Sequence, residues 1–386
     1  MFSARIGNSI LSVCAAACIS LLPLCAAEAG GYRLAYSFSF GADGALPTAG
    51  MIADASGNLY GTASSGGNGC DCGSVFELQA DGTFLILHDF TGDDGDGPQA
   101  PLIIDKKGNL FGTTFNGGIR GRNGAGTVFK LAPDGTETVL YAFSGSADGG
   151  NPAAGLLMDG KGNLYGTAET GGANGYGVVF EVTAAGAYKV LYSFNATPDG
   201  QTPAAGLVRD KAGNLYGTTQ SGGDSGGGTV FKLAPDGAET IIHAFGSGSD
   251  GSKPLSSLLF RSGNLYGTTC AGGIGAGTIF KLARAGTETI LHNFAGPADG
   301  ICPSANLIAD RKGNLYGTTA GGGQGEVGTV FQLTPSGTLN VLHTFEVSHS
   351  DGAQSFGGLV MLGHHLYGTT FLGGQNDLGT IFRLRN

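Results

Sequence analysis

Carboxylates crowd one short stretch of this chain, Asp93-Asp94-Gly95-Asp96-Gly97. Asp93, Asp94 and Asp96 offer enough oxygen to hold a hard divalent cation, and Ca2+ is the ion such a set would take. The stretch lacks the distal Glu that completes an EF-hand loop. Two arginines, Arg120 and Arg122, stand in the loop Asn116-Gly-Gly-Ile-Arg-Gly-Arg-Asn123. An Arg pair near carboxylates can grip a carboxylate or phosphate ligand bidentately. It can equally be a solvated, salt-bridged loop. Glu169, Tyr176 and His349 complete the candidate ligand-binding set. No serine-nucleophile elbow, Walker loop or H-E-x-x-H pattern is present, so no catalytic residue is assigned.

Two further sets of reactive side chains recur at a fixed interval. Asp43, Asp94, Asp148, Asp199, Asp250, Asp299 and Asp351 are each followed by Gly. A ring of carboxylates could hold cations, but Asp-Gly is a common turn pair and turn residues are the plainer reading. His88, His243, His292 and His343 share one register position with Tyr36, Tyr141 and Tyr192. A position that accepts either ring is a packing site with a polar tip, since a catalytic base has no reason to be repeated. Cys70, Cys72, Cys270 and Cys302 remain once an N-terminal leader is removed, an even number that favours disulfides in an exported chain. Cys270 is expected to pair with Cys302, while Cys70 and Cys72 pair with each other or stay free.

The interval comes from a repeat. Asn-Leu-Tyr/Phe-Gly-Thr begins at Asn58, Asn109, Asn163, Asn214, Asn264 and Asn314, with a seventh copy at His365-Leu-Tyr-Gly-Thr369. A period near 51 residues is one supersecondary unit in an array. In the fourth unit the pattern predicts four strands, called A to D. Strand A runs from Pro203 to Asp210, B from Leu215 to Thr219, C from Thr229 to Leu233 and D from Glu239 to Phe245. Gly213, Pro235-Asp236-Gly237 and a Gly-rich B–C loop separate them. Four short antiparallel strands make a β-propeller blade. The fold class expected is therefore all-β, a seven-bladed propeller. Tyr32 to Phe38 reads as a spare D strand and Thr380 to Leu384 as a last C strand, so their pairing should close the ring and remove an exposed edge. The A–B and C–D turns then share one face, and the longer B–C and D–A loops the other, where function is expected. The Gly after each Tyr/Phe in strand B suggests close approach by a neighbouring blade.

These units resemble the tandem GloVer repeat of exported bacterial choice-of-anchor proteins. The resemblance runs through the mature chain and is carried by Gly-Asn-Leu-Tyr-Gly-Thr-Thr at Gly213 to Thr219, the following Gly-Gly, and Gly-Thr-Val-Phe-Lys-Leu at Gly126 to Leu131. It implies a propeller and no established activity. The A–B segment is also similar to the NHL-type propeller repeat, which implies a binding or scaffold role.

Arg5, the apolar run Ile6 to Ala27 and Ala27-Glu28-Ala29 describe a signal peptide cut after Ala29. Residues 1–29 are the expected leader and 30–386 one propeller domain, secreted or periplasmic, with no later run long enough to span a membrane. Ending at Asn386 directly after a strand, the chain leaves no expected room for an anchor. A net charge of −10 argues against nucleic acid or anionic membrane as partner. The first functional reading is a non-catalytic binding or scaffold module, expected as a monomer without a required cofactor, recognising a protein, glycan or small ligand. The second is a metal-assisted lyase or hydrolase with a carboxylate-bound ion at the propeller mouth. The third is a structural ring that assembles through its blade edges.

Overall fold

Leu215-Tyr-Gly-Thr-Thr219 is rich in β-branched and aromatic residues and ends where glycines begin, and it forms a strand over those residues. Val208–Arg209, Leu215–Thr219, Thr229–Leu233 and Glu239–Ala244 pair in sequence order as one antiparallel sheet. The computed structural model describes residues 31–246, 249–284 and 286–386, and contains seven such four-stranded sheets. The expected leader lies outside the described residues. B and C are buried on both sides because each sheet is sandwiched between two others, while D is half exposed at the outer rim. The chain is a seven-bladed β-propeller.

Strand A is shorter than expected, with only Val208 and Arg209 in the ladder. Pro203 has no N–H to donate, and Ala204, Ala205 and Gly206 turn along the central channel beside the corresponding small residues of the other blades. The backbones meet there closely: a Cβ on Gly50 would lie 2.6 Å from the Gly358 carbonyl oxygen. One element goes beyond the repeat: Ile119–Arg122 forms an extra strand in the B–C loop of blade 2. The pairing of Gly352–Ala353 with Leu372–Gly373 is the last-blade form of a bridge between D–A and B–C loops that every blade makes, as at Ala45–Ser65 and Gln201–Ser221.

Closure occurs as the repeat ends predict. Tyr32–Ser37 lies antiparallel to Thr380–Arg385, with Tyr32 opposite Leu384 and Ser37 opposite Thr380. The same contacts that join other blades join the first to the last. The Thr369 hydroxyl donates to the Ala49 carbonyl at 2.8 Å, as Thr113 does to Ala154 and Thr167 to Ala205. Phe38, on the closing segment, meets Phe76 of blade 1 edge to face at 5.5 Å. Equivalent Phe pairs, such as Phe194–Phe231 and Phe345–Phe382, link the other blades. Edge-to-face pairs add about 0.5–1.5 kcal/mol each beyond area burial.

The strand-B glycine has a different cause from the one expected. Gly217 lies opposite Phe231 of strand C in its own blade, and a Cβ there would sit 2.6 Å from the Phe231 ring tip and 2.9 Å from Leu207. The neighbour that excludes a side chain is the blade's own cross-strand Phe. All seven copies, from Gly61 under Phe76 to Gly368 under Phe382, share this arrangement.

Candidate functional site

The meander places the Asp-Gly ring on the B–C/D–A face, and the structure gives each Asp a fixed duty. Every D strand carries a bulge, at Ile242 in blade 4, which re-aims the ring side chain that follows it. That ring then meets the Asp six to eight residues later. Tyr36 donates to Asp43 at 2.9 Å and Tyr141 to Asp148 at 2.8 Å, while His88 and His292 lie 2.9 Å from Asp94 and Asp299. The same carboxylates accept from a backbone N–H at the loop start, Thr91 for Asp94 and Ala295 for Asp299. The ring of Asp is thus a set of loop clamps. Burial alone would raise the Asp94 carboxyl, but the His88 and Thr91 hydrogen bonds outweigh it and hold the group below its usual range.

The acidic stretch does not converge. Asp93 is exposed, Asp94 is committed to His88 and Thr91, and Asp96 is buried against Arg122 at 3.3 Å. Among the described residues the three do not come together as the Ca2+ ligand set expected of them, because Asp94 and Asp96 are held by different partners. Of the Arg pair, Arg122 is half exposed and spent on Asp96, and Arg120 projects to solvent from the extra strand. Glu169 is partly buried in the B–C loop of blade 3, and that burial raises its carboxyl. Tyr176 is exposed in the same loop, and His349 is exposed in the last D–A loop. Only Asp96 and Arg122 of this candidate set touch. Cys270 and Cys302 are bridged with Cα atoms 3.9 Å apart, and Cys70 and Cys72 with 5.2 Å.

Sequence reasoning missed the carboxylates at the start of the D strands. Glu137, Glu239 and Glu288 reach back to the ring–Asp pair of the preceding blade, and each has a buried oxygen with no hydrogen-bond partner. Burial first, and the charge of Asp94, Asp199 or Asp250 second, push these carboxyls up to about 7. Other junctions fill this place with an apolar or aromatic side chain. Phe84 stacks on Tyr36 and Tyr188 on Tyr141, with ring centroids 3.8 and 3.7 Å apart. The nearly constant ring-to-Asp interval was the available signal for these junctions.

The central channel is lined by small residues from every blade, including Ala49, Ala154, Ala205, Ser257, Asn306 and Gly357, around a cavity of about 100 Å³. No Asp, Glu, His or Cys lines it. Larger clefts of about 600 Å³ open between blades on the opposite face, bounded by hairpin residues such as Asp54, Lys106 and Asp310. Asp54 and Asp310 are occupied there as turn acceptors for Asn58 and Asn314. Exposed apolar side chains are distributed unevenly. Of nine large ones among the described residues, Phe40, Ile119, Tyr176, Ile274, Ile301, Val347 and Phe356 lie on the B–C/D–A face or at its channel mouth. Leu85 and Val341 are on outer strands.

No curated protein matches the chain. Among solved structures it is similar to the extracellular domain of a putative hybrid two-component system from B. thetaiotaomicron, with TM-score 0.60, 11% identity, and coverage of 90% of this chain and 40% of that one. It is similar to PorZ, an essential bacterial surface component of the type-IX secretion system of Porphyromonas gingivalis, with TM-score 0.56, 15% identity and coverage of 90% and 48%. A putative 6-phosphogluconolactonase from Bacteroides uniformis matches with TM-score 0.51, 16% identity and coverage of 76% and 83%. The chain spans about two fifths of the length of the first structures it matches. At these identities the likeness is one of fold. Among the described residues no helix is long and apolar enough to cross a membrane. The model of the Gloeobacter/Verrucomicrobia repeat matches residues 25–156, 120–274 and 209–386, and with seven blades built from that repeat the chain belongs to this family.

Proposed function

We propose that the protein is an exported, non-catalytic binding module that engages a protein partner through its B–C/D–A face. The observation that carries this reading is the concentration of exposed apolar side chains on that face. Ile119, Ile274 and Val347 are 68%, 70% and 80% exposed at the tips of loops that differ from blade to blade. Single exposed hydrophobics need no explanation; it is their bias to one face, although they belong to separate blades, that supports an interaction surface there. The small channel disfavours a ligand of ordinary size, which needs about 300–1,000 Å³. The enzymatic alternative, an ion held by carboxylates at the mouth, finds no support in a channel whose lining carries no Asp, Glu or His.

The test compares the parent with an Ile119→Ser/Ile274→Ser/Val347→Ser variant as bait for the exported proteins of the source bacterium. The expected result is a partner captured by the parent and lost with the variant, while both melt alike, since surface changes of this kind stay within about 0.5 kcal/mol each. Equal capture by both baits would overturn the assignment of the face.

A further inference from the structure

His243, Asp250 and Glu288 meet in the outer groove between blades 4 and 5. His243 and Glu288 come from the D strands of the two blades, and Asp250 from the D–A loop that joins them. One ligand atom from each lies within 4.8 Å of the others. The His243 Nε2 is 3.5 Å from Asp250 and 3.8 Å from Glu288. Two donors on a tetrahedral ion, each about 2.1 Å from it, stand about 3.4 Å apart. The spacing is therefore that of ligands around an ion, and it is too long for the direct hydrogen bond that His88 and His292 make with their Asp at 2.9 Å. Both the Nε2 of His243 and one Glu288 oxygen are buried without a hydrogen-bond partner. Buried polar atoms in folded proteins are nearly always satisfied, and although Glu137 and Glu239 carry the same unpartnered oxygen, this junction adds an unpartnered His nitrogen beside it.

We propose that these three side chains form a binding site for a divalent transition metal of the Zn2+ type. One imidazole and two carboxylates suit that class better than Ca2+, which takes six to eight oxygens. Asp250 and Glu288 together neutralise the ion. Three protein ligands leave a fourth position, and Asp250, 28% exposed, opens it to solvent. The ion would tie blade 4 to blade 5 at the rim. Asp250 lies on the loop face proposed for partner binding, but this inference does not rest on that reading.

The neighbouring junction supplies the control. His292 and Asp299 occupy the same register between blades 5 and 6, where Leu339 stands in the place of Glu288. Glu288→Leu therefore copies a side chain the fold already accepts, and Glu288→Gln keeps the shape of the original. Chelator-treated full-length protein is titrated with Zn2+ by calorimetry, and melting is followed with and without the metal. The parent should bind one equivalent more than either variant, with affinity falling by more than the roughly 100-fold that loss of a supporting residue costs. The parent's melting temperature should rise with metal by more than that of either variant. A parent that takes up no Zn2+, or variants that bind as much and as tightly as the parent, would overturn the proposal.

Discussion

Two of the contacts between consecutive blades are instructive. Near the middle of the sheets, Phe294 of blade 5 meets Phe331 of blade 6 at 5.3 Å, Phe331 covers Gly317, and both rings are fully buried. At the rim, His292 holds Asp299 and Leu339 packs nearby, but one junction earlier the same places hold His243, Asp250 and Glu288. The inner seam is the same at every junction, and the outer one varies. Identity of the seam is what a closed ring requires, because each blade must present one face to the last and the matching face to the next. The rim is under no such constraint, and its half-exposed positions tolerate Phe, Tyr, Leu or Glu. The site proposed for a metal therefore lies where the blades differ.

The largest effect expected from breaking the seam is removal of residues 31–38. The deletion takes away the strand opposite Thr380–Arg385 together with Phe38, leaving an open edge and an uncovered Phe76. With total stabilities of about 5–15 kcal/mol for native domains, loss of a whole outer strand should leave no soluble monomer. Size-exclusion chromatography and thermal melting of the truncated chain check this. A monomer that melts like the parent would mean the ring does not depend on its closing strand.

A single side chain in the seam should do less. Gly217→Val forces atoms to within 2.6 Å of Phe231, which is fully buried and hemmed in by Phe194 of the blade before. Overpacking of this kind costs roughly 1–3 kcal/mol. Gly217 has no positive φ, so the penalty is steric, and Phe231→Leu in the same chain should relieve part of it. Denaturant unfolding of the single and double variants measures both terms. Additive losses would show that the Phe is not what excludes the side chain.

The seam was largely legible in the sequence and the rim was not. Strands B and C of blade 4 appear at the residues expected, Leu215–Thr219 and Thr229–Leu233, because their β-branched and aromatic runs stop at glycines. Closure could be read because Tyr32 to Phe38 repeats a D strand. Strand A was overestimated because convergence on an axis is a property of the whole ring and leaves no mark on one unit. The role of Gly217 was misassigned for a related reason. A one-dimensional pattern shows that a position is small, but the cross-strand register identifies the atom that demands it. The rim failed differently. His243 and Asp250 were visible as separate register positions and Glu288 was not singled out at all; the bulge at Ile242 and the approach of one D strand to the next bring the three together.

The smallest effect expected lies at the rim, where it is read as a slope against pH. Glu239 sits at the junction of blades 3 and 4 beside Asp199, and burial first and that charge second raise its carboxyl from 4.5 to about 7. No His belongs to this junction, whose ring is Tyr192. The folded protein thus holds the Glu239 proton more tightly than the unfolded chain does. Its contribution is fully present below about pH 4.5 and is lost as pH rises toward and through 7. Glu239→Gln keeps the shape but cannot ionise, so the variant should gain on the parent between pH 5 and 8. Solvent at the rim screens the effect, and about 1 kcal/mol or less is expected across that interval. The Gln amide can also donate to Asp199 at every pH, so the change in stability difference between pH 5 and 8, from urea midpoints, is the quantity that decides. Parallel curves for parent and variant would show that Glu239 ionises in the folded ring as freely as in the unfolded chain, and that this part of the rim is wetter than its burial implies.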